Sequence, residues 1–129
     1  MLIYMQKREG RSFPSSYFRH ASAVIFEYDE TDEQSFTDIM GLWLPETSRF
    51  LHEDALFFLI GNKNDLVENG TPRFVTDEQV QELADRFKTK PMHISALTGA
   101  GCEDAFNYIS QLVIKQFVSS SLFLFSTLC

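Results

Sequence analysis

Ala55-Leu56-Phe57-Phe58-Leu59-Ile60 is an unbroken apolar run that passes directly into Gly61-Asn62-Lys63-Asn64-Asp65-Leu66. Six apolar residues bounded by a glycine predict a strand covered on both faces. The polar hexapeptide after it then falls at the strand's carboxyl end. Outward from there, residues 21–28 (ASAVIFEY) and 91–94 (PMHI) are further short, mostly apolar runs. Helical spacing fills the gaps between and after these runs. Phe36, Ile39, Met40 and Trp43 fall at i, i+3, i+4, i+7, and Val80, Leu83, Ala84 and Phe87 repeat that pattern. Phe106, Ile109, Val113 and Phe117 mark one face of a third helix. Thr31 with Gln34 and Thr76 with Gln79 each fit a capping box, and Pro45 is expected to end or kink the first helix. The predicted helices are 32–50, 76–88 and 102–117. Strand–helix alternation of this kind predicts an α/β fold, a mostly parallel sheet flanked by helices. Ligands of such sheets bind at the strands' carboxyl ends, which singles out loops 29–32, 61–65 and 95–99.

Composition narrows the chemistry. At 129 residues, with 44% apolar and 22% charged side chains, the chain has the make-up of one globular domain. Eighteen acidic against eleven basic side chains give a net charge of −7. That surface repels phosphate backbones, so nucleic acid is not an expected partner. Cys102 and Cys129 form neither a disulfide framework nor a zinc spacing. His20, His52 and His93 group with no serine or cysteine nucleophile, and each reads as a surface or strand-end residue. No signal peptide opens the sequence, and no apolar stretch reaches the roughly 18 residues of a membrane span. A cytoplasmic location is the expectation.

The hexapeptide at 61–66 suits a guanine base. The Asp65 carboxylate can accept from N1–H and from the exocyclic amino group, a charge-assisted pair that adenine cannot reproduce. Asn62 can donate toward N7 or O6 while its oxygen ties neighbouring loops. Lys63 can lay its methylene stem over a ring face with the ammonium in water. An isolated match of this kind fits an ordinary polar turn equally well. The second strand end, His93-Ile94-Ser95-Ala96-Leu97-Thr98-Gly99, adds a small residue whose N–H can meet O6 and a serine that braces the loop. Alone, it too reads as a strand-to-helix turn.

Together these residues resemble the Ras superfamily of small GTPases, the Rab branch most closely. Residues 15–21 (SSYFRHA), 24–36 (VIFEYDETDEQSF), 61–66 (GNKNDL), 73–76 (RFVT) and 95–96 (SA) match in order, with Leu97 in place of the commoner lysine. The resemblance implies a partial Ras-like P-loop NTPase fold, GTP or GDP as cofactor, and a link to vesicle traffic. It carries over Asn62, Lys63, Asp65, Ser95, Ala96 and Leu97 as guanine-binding residues. It carries over no catalytic or metal residue. The family's Gly-x-x-x-x-Gly-Lys-Ser/Thr loop, switch threonine and Asp-x-x-Gly do not occur in these 129 residues. Residues 3–10 (IYMQKREG) stand where Trp-Asp-Thr-Ala-Gly-Gln is expected, and Gln6 inherits no role.

The chain therefore reads as a divergent segment 1–14, the C-terminal part of a Rab-like GTPase domain over 15–118, and an apolar tail 119–129 (SSSLFLFSTLC). The expected consequences are weak or absent nucleotide binding, no magnesium site and no hydrolysis. The alternative is a nucleotide-independent protein-interaction module derived from a Rab by truncation or splicing. Loss of the phosphate-loop strand is expected to leave one edge of Val24-Ile25-Phe26 unpaired and prone to self-association. Residues 1–5 (MLIYM) are a candidate makeshift strand for that edge. Glu27 departs from its apolar strand and is costly if buried without a partner. The tail has no Cys-a-a-X box, so prenylation is not expected, and lipid anchoring through Cys129 is a secondary hypothesis.

Overall fold

The fold is that of a computed structural model that describes residues 2–5 and 21–128, with side chains over 21–119. Four parallel strands lie in the order β1 (Leu2–Met5), β2 (Ala23–Asp29), β3 (Leu56–Asn62), β4 (Met92–His93). The expected α/β architecture is present. Ala23 pairs with Leu56 and Asp29 with Asn62, so β2 and β3 end level with one another. That shared end carries all three expected loops.

Strand alternation sends side chains to two cores. Val24, Phe26, Tyr28 and Leu59 pack with Phe36 and Ile39 and with Val80, Leu83, Ala84 and Phe87. Ala23, Ile25, Phe58, Ile60 and Met92 pack with Ala105 and Ile109 of the last helix. Burial on both faces is the reason the central strands read as continuous apolar runs.

The edge beside Val24-Ile25-Phe26 is not unpaired. Leu2–Met5 pairs along it in parallel register, Leu2 opposite Ala23 and Met5 opposite Phe26. Four extended residues suffice to satisfy the edge amides and carbonyls, a stronger requirement than any side-chain preference in that segment. Residues 15–20 of the expected resemblance lie outside the described residues.

The helices depart from expectation in several details. Helical backbone fills most of the expected span 32–50 and Pro45 does not end it: α1 (Glu33–Asp38) runs through π turns at Ile39–Trp43 into α2 (Leu44–Ser48). Leu44 N–H donates to the Ile39 carbonyl five residues back, and the wider turns precede a proline that has no N–H to offer. The cap of α1 is Asp32, whose Oδ1 accepts from Gln34 N–H at 3.0 Å. Thr31 is drawn away because both its N–H (2.8 Å) and Oγ1 (2.6 Å) donate to Asp29 Oδ1. By contrast Thr76 and Gln79 form the complete capping box of α4 (Asp77–Phe87), whose four expected apolar residues are all buried. A short α3 (Asn64–Glu68) follows the polar hexapeptide and was not legible from periodicity.

The last helix, α5, runs Cys102–Leu128, so helical backbone continues well beyond the expected end at 117. Its buried line passes through Ala105 and Ile109, whereas Phe106 and Phe117 are exposed. The core seam is rotated one residue from the aromatic stripe. Among the described residues, no helix is long and apolar enough to cross a membrane.

Candidate functional site

The three loops at the strands' carboxyl ends are laced together by side chains. Lys63 takes a left-handed conformation (φ 66°, ψ 29°), which turns β3 into α3 and places Asp65 in its first turn. Ser95 is buried, and its Oγ donates to Asp65 Oδ1 at 2.7 Å while accepting from Thr98 N–H at 3.1 Å. Asn62 Oδ1 accepts from its neighbour Lys63 N–H (2.7 Å) and from Ala96 N–H (3.0 Å). Backbone bonds from Asn64 N–H to the Ile94 carbonyl (3.1 Å) and from Ile94 N–H to the Gly61 carbonyl (2.8 Å) complete the joint. Leu97 follows in the same turn and stands in solvent, 84% exposed.

The structure thus brings Asn62, Lys63, Asp65, Ser95 and Ala96 into one network, with Leu97 beside it. Two expected donors are engaged within the protein. Ala96 N–H is held by Asn62, and Asn62 Nδ2 donates to Glu27 Oε1 at 2.7 Å. Asp65 is different: with one oxygen fixed by Ser95, the carboxylate is oriented and has acceptor positions to spare for donors on one edge of a ligand.

Lys63 also joins the first loop, its ammonium 2.6 Å from Asp29 Oδ2. Partial burial works to raise the Asp29 pKa, but the bonds from Lys63 and Thr31 outweigh it and hold the carboxyl below its ordinary value. The bond to Asp29 raises Lys63 in turn, against a smaller desolvation effect. A depressed carboxyl contributes stability above its unfolded value and loses it as pH falls through the folded one. Asp29→Asn is therefore expected to lower stability near neutral pH by about 0.5–1 kcal/mol, since Lys63 is half-exposed. The deficit should shrink as pH falls below the ordinary carboxylate value and Asp29 is protonated. Urea unfolding of both chains at neutral and acid pH measures it, and a deficit that persists in acid contradicts the assignment.

A cleft of about 190 Å³ adjoins the loops, lined by Glu27, Tyr28, Asp29, Asp32, Ser35, Asn62 and Lys63. Glu27 is buried, with its pKa raised by desolvation and partly restored by the Asn62 bond. It is not the unpartnered strand carboxylate that the sequence warned of. A larger apolar groove of about 580 Å³ lies at the opposite end of the sheet, lined by Ala21, Leu56, Val113, Ile114 and Phe117 among others. Size favours that groove, but the network of polar groups is at the smaller cleft.

One feature escaped sequence reasoning. Glu30 is 0% exposed, with Oε2 at 3.2 Å from Arg73 Nη2 and Oε1 in a short contact with His93 Nδ1. Arg73 also reaches Asp77 at 2.8 Å. A Cβ on Gly61 would stand 2.6 Å from Glu30 Oε1 and 2.8 Å from the Tyr28 hydroxyl, so glycine at this position is a condition of the buried carboxylate. His93 is the last residue of β4, as expected, but its ring is also tied into the loops. No local pattern pairs Glu30 with residues 43 and 63 positions away.

Comparison with known proteins places the site in context. The model of the Ras family matches residues 7–115. The chain is 35% identical over 109 residues to the Ras-related protein RABD2a of Arabidopsis thaliana, covering 84% of this chain and 52% of that protein. It is 38% identical over 96 residues to the GTP-binding protein YPT1 of Saccharomyces cerevisiae, covering 74% and 45%. With RabC of Dictyostelium discoideum it shares 33% over 101 residues, covering 78% and 50%. The chain spans about half the length of the curated relatives it matches.

Proposed function

Because the chain belongs to the Ras family and is Rab-like, we propose that its loops recognise guanine and hold the base without holding the phosphates. The observation that carries this is the Ser95–Asp65 bond, which orients a carboxylate next to the Asn62–Ala96 bridge. Asp65 accepts from two donors on the guanine edge, and the Lys63 stem covers a ring face. Ala96 N–H reaches O6 by sharing or releasing its bond to Asn62. GTP binding and hydrolysis in vesicle traffic, in the cytoplasm, accompany the Rab resemblance. No residue here is assigned a step of hydrolysis.

The phosphates fit poorly. The cleft beside the base loops is lined by three carboxylates and one ammonium already paired with Asp29. Phosphate and magnesium contacts supply most of the electrostatics of phosphoryl-transfer sites. Without them, two or three polar contacts of about 1.5–3 kcal/mol each must offset an association cost of about 4–15 kcal/mol. Affinity for the base alone is then expected to be millimolar at best.

Amide shifts in a nitrogen–proton correlation spectrum test this. Guanosine should move residues 62–65 and 95–97 and adenosine should not. Asp65→Ala should abolish the guanosine response, with a loss of tenfold or more in affinity. An equal response to adenosine, or an unchanged Asp65→Ala chain, overturns the assignment. It would leave the interaction module, with the 580 Å³ groove as its surface, as the better account.

A further inference from the structure

We propose that Glu27 is a specificity-determining residue that limits the base site to uncharged ligands, the nucleoside or free base, and turns away phosphorylated ones. The inference rests on guanine recognition by the loops and extends it to the class of ligand.

Asn62 and Lys63 belong both to the base-loop network and to the lining of the 190 Å³ cleft. A substituent on a base held at Asp65 therefore has the cleft as its protein-lined path. The fixed charges along that path are Glu27, Asp29 and Asp32 against Lys63 alone. Lys63 is compensated by Asp29 at 2.6 Å, and the nearby cation Arg73 is compensated by Glu30 and Asp77. The uncompensated carboxylates are Glu27 and Asp32.

Glu27 dominates because it is buried, 7% exposed, where its field is least screened by water and salt. Asp32 is more open and is occupied as the cap of α1. The Asn62 bond fixes the Glu27 carboxylate in the lining of the cleft, two residues before the end of β2. An entering phosphate meets the Glu27 carboxylate in a partly desolvated space, where the Lys63 ammonium and the Asn62 amide already serve carboxylates. An apolar residue at this strand position would impose no such barrier. The acidic substitution makes the cleft selective rather than merely vacant of phosphate ligands.

Glu27→Gln isolates the charge, because the amide oxygen still accepts from Asn62 Nδ2. Dissociation constants for guanosine and GMP, without magnesium, are read from the amide shifts of residues 62–65 and 95–97. The wild-type chain should bind GMP about fivefold or more weakly than guanosine. In Glu27→Gln that ratio should fall about fivefold while the guanosine constant stays within about twofold. GMP binding as tight as guanosine in the wild-type chain, or a ratio unmoved by Glu27→Gln, overturns the charge filter and leaves base recognition standing. A guanosine titration that moves none of these amides overturns both.

Discussion

Phe26→Ala is expected to remove about 3–5 kcal/mol of folding stability. Phe26 is 0% exposed at the centre of β2, with its ring stacked on Phe87 at 5.4 Å and tilted against Phe57 at 5.7 Å. Truncation removes the shared contact between the central strands and α4, and the cavity cannot close without moving β2. Such a loss rivals the whole stability of a small domain, so the alanine chain is expected to be largely unfolded. Phe26→Leu should cost less, about 1–2 kcal/mol, and remain measurable by urea unfolding. A cost below about 1 kcal/mol for the alanine variant contradicts the packing described.

Arg73→Ala is expected to cost about 3 kcal/mol, much more than its partly exposed position implies. The cost comes from the partner. Glu30 is fully buried, and removing the guanidinium leaves its carboxylate with the His93 ring in place of two partners. Ion pairs of this kind are expensive to break but not to replace. Glu30→Val with Arg73→Ala should therefore regain most of the stability lost in the single variant, which a double-mutant cycle measures as a large coupling. Arg73→Lys should rescue only in part, since an ammonium cannot span Glu30 and Asp77 as the two ends of the guanidinium do. Equal losses in the single and double variants contradict this account.

The features legible in the sequence are those with a short period or a local rule. Continuous apolar strands gave β2 and β3, and the i, i+3, i+4 pattern together with Thr76 and Gln79 gave α4 and its cap. What was not legible depends on partners distant in sequence. Residues 1–5 were readable as a candidate strand, but that Leu2–Met5 pairs with β2 and closes its edge depends on a partner about twenty residues away. The π turns before Pro45 reflect helical backbone held onto the sheet by Phe36 and Ile39, where a free helix would have ended. Of the expected α5 face, Ile109 and Val113 pack in the core while Phe106 and Phe117 are exposed, and the smaller Ala105 completes the seam against the sheet.

At the candidate site, the residue types and their spacing were readable, while the state of their hydrogen bonds was not. Ser95 braces Asp65 as the sequence implied. That Asn62 spends its amide on Glu27 and its oxygen on Ala96 requires β2, β3 and the 95–99 loop to be in register. Glu27 itself was conspicuous as a charge in an apolar strand, but only the level ends of β2 and β3 show what it faces.

Calorimetric titration of the folded chain with GDP and magnesium tests the central claim most directly. A base site without phosphate affinity predicts heat no stronger than millimolar binding and no dependence on magnesium. Magnesium-dependent binding at micromolar concentration or tighter would mean that these residues rebuild a phosphate site, and would contradict the account.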